Sequence, residues 1–340
     1  MLWSICLKIL SRFDAEKLHH LSFRLLRALP RMGVPLRLLS GARDAPAGFA
    51  APAAWASLPF ATLFPVGLAA GFDKNAEILD LLPALGFGFA EIGTITPRPQ
   101  AGNPKPRLFR DYGERKIFNR MGFNNHGMEV IARRLEALRP ALPKAFAVGV
   151  NLGKNKDTPD EDAARDYAAV ALRFAGLADY FVINVSSPNT PGLRRLQAPE
   201  FLVPILKRTK EAAGATPVFV KLAPEIQGDE LAGLLGILGE NGADGFVLGN
   251  TLGGEHAGQA GGWSGAPLAT RAEANLATAR AATRLPLISV GGILSGADAR
   301  KRLERGAQAV QIYSGWIMRG PRLPTEIREA LEGELRRTRS

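Results

Sequence analysis

Residues 218–249 read VFVKLAPEIQGDELAGLLGILGENGADGFVLG, and the punctuation of this stretch decides the fold. Val218–Leu222 is a short apolar run, of the kind that forms a strand buried on both faces. Asp229–Asn241 then sets leucines at helical spacing behind an acidic start, and Gly245–Gly249 is a second short apolar run. Strand, helix and strand within this span make a βαβ unit, whose two strands run parallel.

Working outward, the same unit recurs. Strand-like runs lie near Leu63–Ala69, Phe89–Gly93, Phe146–Asn151, Phe181–Val185, Leu287–Val290 and Val310–Tyr313. Helical patterns lie at Ala76–Leu85, Met128–Leu138, Glu161–Leu177, Glu200–Ala213, Leu268–Thr283, Ala297–Arg305 and Thr325–Leu335. Eight strands alternating with helices over residues 61–340 fit a (β/α)8 TIM barrel, with a doubly wound sheet as the competing arrangement. Residues 1–45 precede it as a helical extension, and the Ala- and Pro-rich residues 46–60 read as a linker. The longest interruption, 95–127, is a proline-rich insertion after the second strand, which a barrel places at its catalytic face.

The 340 residues are 46% hydrophobic and 22% charged, which suits a large globular core. Cys6 is the single cysteine, so the chain has neither a disulfide framework nor thiolates for its own iron–sulfur cluster. The four histidines have no metal-site spacing. The net charge of +11 is biased to the start: eight basic residues oppose Asp14 and Glu16 in residues 1–43. Leu18, Leu21, Leu25, Leu26 and Leu29 interleave with these charges, behind an apolar stretch from Leu2 to Leu10. Two readings are open: an amphipathic segment lying in an anionic bilayer interface, or leucines packed against the barrel. The segment is too charged to span a bilayer and lacks a signal-peptide cleavage pattern.

Residues just after barrel strands face the active site. Here they are Ala69 to Lys74, Thr94, Asn151, Asn184 to Thr190, Lys221, Asn250-Thr251, Gly291-Gly292 and Tyr313-Ser314-Gly315. Amides, small hydroxyls and two lysines suit a planar, anionic, hydrogen-bonding ligand. They lack the carboxylate pair of a glycosidase. The glycines after the seventh and eighth strands occupy the usual barrel phosphate site. Lys221 is either a stabiliser of negative charge on a reduced flavin or a salt-bridged structural lysine. Gly86, Gly88 and Gly93 are wrongly spaced for a nicotinamide-binding fingerprint.

Six blocks in order resemble the class 2, quinone-dependent, membrane-associated dihydroorotate dehydrogenase family: AAGFDK (69–74), EIGTITPRPQ (91–100), NRMGFN (119–124), GKNKDT (153–158), NVSSPNTPGL (184–193) and QIYSG (311–315). The resemblance implies oxidation of (S)-dihydroorotate to orotate in pyrimidine synthesis, with hydride passing to FMN and then to ubiquinone or menaquinone. It implies Ser187 as the base taking the C5 proton, with Thr190 holding a relay water. Class 1 relatives carry a cysteine at the position of Ser187. Ala70, Gly71, Phe72, Asp73, Lys74, Thr94, Asn151, Asn184, Lys221, Gly249, Gly265, Gly292, Tyr313 and Ser314 correspond to FMN positions. Lys74, Asn119, Arg120, Met121, Gly122, Phe123, Asn184, Asn189, Asn250 and Thr251 correspond to pyrimidine positions. His19, Phe23, Arg110 and Tyr313 correspond to the lining of a quinone tunnel. The family places such a protein peripherally on the cytoplasmic side of the bacterial inner membrane, touching anionic lipid, with no nucleic acid and no required protein partner.

Two departures stand out. Gly249 replaces a usual threonine, and 252–261 is shorter than in most relatives, with Trp263 where leucine is common. The competing functions are an FMN barrel acting on a tRNA uracil or a free pyrimidine, and a membrane-bound scaffold without turnover. An RNA reductase of that kind is expected to use a catalytic cysteine, and Cys6 lies near no strand end.

Overall fold

The structure, a computed structural model, describes residues 12–42 and 57–337. The apolar stretch Leu2–Leu10 and residues 46–56 of the expected linker lie outside the described residues.

Eight parallel strands close a barrel: β1 (Val66–Leu68), β2 (Phe89–Ile95), β5 (Ala147–Leu152), β6 (Tyr180–Asn184), β7 (Val218–Leu222), β8 (Gly245–Leu248), β11 (Leu287–Val290) and β12 (Ala309–Ile312). Closure comes where β1 pairs with both β2 and β12. Nearly every residue of these strands is buried, because inward side chains fill the barrel and outward ones meet helices. The helices are α3 (Met128–Leu138), α4 (Ala163–Arg173), α5 (Pro199–Ala213), α6 (Gly228–Glu240), α7 (Ala269–Ala282), α8 (Gly296–Glu304), α9 (Ser314–Arg319) and α10 (Leu323–Arg337). The barrel floor is closed by Phe60, which stacks on Tyr180 at 4.3 Å beside Phe89 and Phe219.

The helix expected over Ala76–Leu85 does not form; two short 3-10 turns, Leu79–Leu81 and Pro83–Leu85, replace it. Pro83 has no N–H, and its ring crowds the carbonyl a turn earlier. Upstream, the Asp73 carboxylate accepts from the Glu77 and Ile78 amides and holds a turn.

A second sheet was not foreseen. Strands β3 (Leu108–Asp111) and β4 (Lys116–Asn119) come from the proline-rich insertion, while β9 (Leu252–His256) and β10 (Gln259–Gly265) come from the shortened stretch after β8. They form an antiparallel sheet in the order β3-β4-β10-β9, with Gly262 opposite Asn119 and Trp263 opposite Phe118. Gly262 has to be glycine where β10 passes Thr251 and Pro188, since a Cβ there would collide with the Thr251 hydroxyl.

Helices α1 (Ala15–Arg31) and α2 (Arg37–Ser40) dock on the barrel. Asp14 caps α1 by accepting from the Lys17 amide. Phe23 and Leu36 enter the main core with Phe64, Phe72 and Trp316. A buried pair, Glu16 with Arg107 at 2.8 Å, joins α1 to the insertion, and Arg27 clamps Asp80 at 2.8 and 2.9 Å. Phe13, Leu21, Leu25, Met32 and Leu38 remain exposed.

Candidate active site

The strand C-termini open into one cavity. Eighteen of the expected positions line it: Ala70, Gly71, Lys74, Thr94, Asn119, Met121, Gly122, Phe123, Asn184, Ser187, Asn189, Lys221, Asn250, Thr251, Gly265, Gly292, Tyr313 and Ser314. They arrive from both sheets, because the β3–β4 and β9–β10 hairpins roof the barrel mouth.

The polar lining is pinned by a continuous network. Asn184, at the end of β6, donates to the Thr94 hydroxyl at 2.9 Å and to the Asn151 side-chain oxygen, Oδ1, at 3.0 Å. Asn151 lies one layer behind the cavity wall and donates to Glu91 at 2.6 Å; Gln311 donates to the other Glu91 oxygen at 2.6 Å. Glu91 is completely buried inside the barrel, and the Lys221 ammonium lies 3.9 Å from it. Lys221 therefore lines the cavity with a counter-ion behind it, as the salt-bridged reading expects. Across the mouth, Asn189 donates to Asn119 at 2.7 Å, and Asn250 donates to the Ser186 hydroxyl at 2.9 Å.

Ser187 is buried, and its Oγ accepts from the Asn189 amide at 3.2 Å. Nearby, Thr190 Oγ1, Asn189 Oδ1 and Thr251 Oγ1 are buried with no protein partner. Buried polar atoms are normally satisfied, so this group is chemically ready for a small ligand rich in N–H and C=O groups. Lys74 donates to the Gly71 carbonyl at 2.7 Å. Burial, with the Arg107 charge adding to it, pushes its ammonium down to about 8.

At the opposite end, the cavity is walled by Gly265, Gly291, Gly292 and Gly315, with the Ser264 and Ser314 hydroxyls 2.7 Å apart. Backbone N–H groups and hydroxyls of small residues at a cavity wall suit a phosphate. Gly71 leaves the floor open, since a Cβ there would meet only the Tyr313 ring, at 3.7 Å. A small-residue floor and a phosphate-like end fit a planar cofactor that carries a phosphate.

Several expected residues lie elsewhere. Phe72 points away from the cavity to His19, Phe23, Tyr313 and Trp316. Asp73 is the turn acceptor described above. Gly249 does not line the cavity; its φ is +110°, and a Cβ would lie 2.5 Å from the Val290 carbonyl oxygen. A threonine therefore cannot simply be restored on this backbone. Arg120 bonds through its backbone to Arg107 and Asn103 rather than lining the cavity. Thr190 is buried and does not line the cavity.

Of the four residues expected to line a quinone tunnel, His19, Phe23 and Tyr313 gather around Phe72. The His19 ring lies 4.5 Å from Phe23 and 4.7 Å from Phe72, which reaches Tyr313 at 5.5 Å. His19 Nε2 donates to the Phe72 carbonyl at 3.0 Å, and burial holds its pKa down to about 3. It is a neutral donor at physiological pH. Arg110 donates to the Ala15 carbonyl at 3.0 Å and to the Tyr112 hydroxyl at 3.3 Å. Sequence reasoning assigned no role to Glu91, Gln311, Asn103, Arg107 or Ser264. An acidic residue within a continuous apolar strand was the one available signal, at Glu91.

Comparison with known proteins gives one answer. Residues 59–335 match the family model for dihydroorotate dehydrogenase. A dihydroorotate dehydrogenase (quinone) from Rhodospirillum rubrum is 46% identical, over 95% of this chain and 88% of that protein. One from Alkalilimnicola ehrlichii is 44% identical, over 98% of this chain and 100% of that protein. The solved structure of DHODH from Eimeria tenella in complex with ferulenol superposes with a TM-score of 0.80 at 33% identity, covering 94% of this chain and 92% of that one. With a family match across the whole barrel and relatives spanning nearly the full length, the chain belongs to the dihydroorotate dehydrogenase family.

Proposed function

We propose that this cavity oxidises (S)-dihydroorotate to orotate for pyrimidine synthesis, with a membrane quinone as final acceptor. The carrying observation is a buried serine, Ser187, set among four asparagine amides and unpartnered hydroxyls in a cavity that is also lined by Gly265, Gly291, Gly292 and Gly315. The flavin of this family, read here as FMN, supplies the hydride acceptor when bound. Gly265, Gly292 and Ser314 would hold its phosphate, with Ala70, Gly71, Thr94 and Lys221 along its ring.

The chain's own residues then have these tasks. Asn119, Asn184, Asn189, Asn250 and Thr251 hold the pyrimidine edge, and the Lys74 ammonium holds its carboxylate. Ser187 Oγ takes the C5 proton. A serine hydroxyl is a poor base, so it has to pass on its own proton as it acts, and Thr190 Oγ1 is the neighbouring buried hydroxyl with bonding capacity to spare. Lys221 offers positive charge where negative charge arrives, moderated by Glu91.

Residues 1–45 serve the quinone, ubiquinone or menaquinone, along the His19–Phe23–Tyr313 path with Arg110 beside it. No described helix is long and apolar enough to cross a membrane. The exposed leucines and the basic charge of this segment support peripheral docking on anionic lipid, at the cytoplasmic face of a bacterial inner membrane.

The test is spectroscopic. Purified protein is expected to carry a flavin spectrum, to bleach anaerobically with dihydroorotate, and to recover colour with a quinone analogue. A protein refolded or purified with FMN that dihydroorotate cannot bleach would reject the reading.

A further inference from the structure

The loop bearing Ser187 leaves β6 with no strand or helix until the 3-10 turn Leu193–Gln197, so something outside the barrel ladder has to fix its place. Arg194, in that turn, spends each of its three nitrogens on a different loop. Nε donates to the Ser186 carbonyl at 3.0 Å, Nη2 to the Thr251 carbonyl at 2.8 Å, and Nη1 to Glu225 at 2.8 Å. The same Glu225 oxygen accepts the Gly253 amide at 2.7 Å. One planar cation thus ties the ends of β6, β7 and β8, gripping the residue before Ser187 and one of the pyrimidine-facing residues themselves, Thr251. The Gly253 bond anchors β9 as well, so the shortened stretch after β8 is held from both sides of its first residue.

We propose that Arg194, with Glu225 as its anchor, is a positioning residue that sets Ser187 against the Asn250–Thr251 edge of the pyrimidine; this rests on the functional reading above. A guanidinium is suited to the task, since its donors are fixed in one plane and charge-assisted bonds to carbonyls are strong and directional. The clasp is at the rim, with the Arg194 side chain 27% exposed, and it makes no bond to the barrel strands or to the glycine-lined end. Its loss therefore disturbs substrate placement and leaves flavin retention alone. Misplacement of reacting groups by about 1 Å costs on the order of 10²-fold in rate.

The experiment compares wild type, Arg194→Met, Arg194→Lys and Glu225→Gln as flavin-loaded full chains in anaerobic stopped flow. Arg194→Met is expected to reduce flavin roughly 10- to 100-fold more slowly at saturation, with a half-saturating dihydroorotate concentration raised about tenfold, at full flavin content. Its orotate-induced change in flavin absorption should need more orotate. Arg194→Lys keeps the charge without the fork and should fall between, and Glu225→Gln keeps the acceptor oxygen and should change least. Wild-type rate and half-saturation in Arg194→Met overturn the proposal, as does a loss of flavin in proportion to the loss of rate, which marks general unfolding. If Arg194→Met fails to fold, the other two variants decide, and wild-type kinetics in Arg194→Lys overturn the proposal. A wild type that dihydroorotate cannot bleach fails one step earlier and removes the functional reading together with the clasp.

Discussion

The barrel mouth and the face beneath α1 meet at Tyr313, yet they are built in opposite ways. At the mouth, a chain of polar side chains is bonded together: Asn184 to Thr94 and Asn151, Asn151 to Glu91, Asn189 to Asn119. Beneath α1, rings pack edge to face and tilted, and His19 makes one bond, to a backbone carbonyl. Fixed dipoles are what proton and hydride chemistry needs, because they stabilise developing charge without reorganising. An apolar path needs only shape and dryness, so it tolerates adaptable packing and leaves leucines facing outward.

The sharpest way to break this contrast is at Ser187. Ser187→Ala should retain flavin and bind orotate, while flavin reduction by dihydroorotate falls by about 10²-fold or more. Near-wild-type single-turnover reduction would mean that the pinned mouth does not supply the base.

The opposite side is tested at Leu21 and Leu25, four residues apart on one face of α1 and 47% and 55% exposed. Each leucine is worth about 1.5 kcal/mol or more when buried in an apolar phase, or roughly tenfold in partition. Leu21→Ser with Leu25→Ser should cut binding to anionic vesicles by at least about tenfold, and added salt should weaken it further. Flavin reduction should be unchanged. Equal sedimentation with vesicles would place the membrane contact elsewhere. Deleting residues 1–45 is a poorer test, since Arg107 would lose Glu16, and stranding one partner of a buried pair costs about 3–5 kcal/mol.

The same contrast explains what could be read in the sequence. The eight barrel strands were legible because both faces are buried, giving unbroken apolar runs, and the strand ends were legible because barrel geometry aims them at one place. The second sheet was not: β9 and β10 read LGGEH and QAGGWSG, and glycines demanded by close approach at Gly262 erase the alternation that marks a strand. Position after a strand also misled at Phe72 and Asp73. One turns to the aromatic cluster and the other folds back on the Glu77 and Ile78 amides. Glu91 is marked only as an acid within an apolar strand, and Arg194 carries meaning only through its partners on three loops.

Lys221 and Glu91 sharpen the comparison from inside the barrel. Lys221→Met should lower the flavin midpoint potential and slow reduction by about tenfold, as expected for loss of one stabilising charge. Glu91→Gln removes a negative charge 3.9 Å from the ammonium and should move the potential upward. Shifts of the same sign in both variants would show that the pair acts through packing rather than charge.

The smallest effect joins the two regions. Lys74 stands in the mouth, and its ammonium is pushed down to about 8 first by burial; the Glu16 carboxylate on α1 opposes this, and Arg107 adds to it. Orotate brings a carboxylate to that ammonium and so favours the charged form, raising the pKa in the complex. Below pH 8 the ammonium is already present in the free protein, and orotate affinity should be flat. Above it, binding has to take up a proton, so the dissociation constant should rise with pH, by at most tenfold per unit, until the pKa of the complex is reached. Titration of flavin absorption with orotate between pH 6 and 10 measures this, and Lys74→Met should bind weakly with no such rise. Glu16→Gln removes the charge that props the ammonium up and leaves Arg107 uncompensated, so both changes move the break below pH 8. An unmoved break would show that α1 touches the mouth through packing alone, and that the two regions are electrostatically independent.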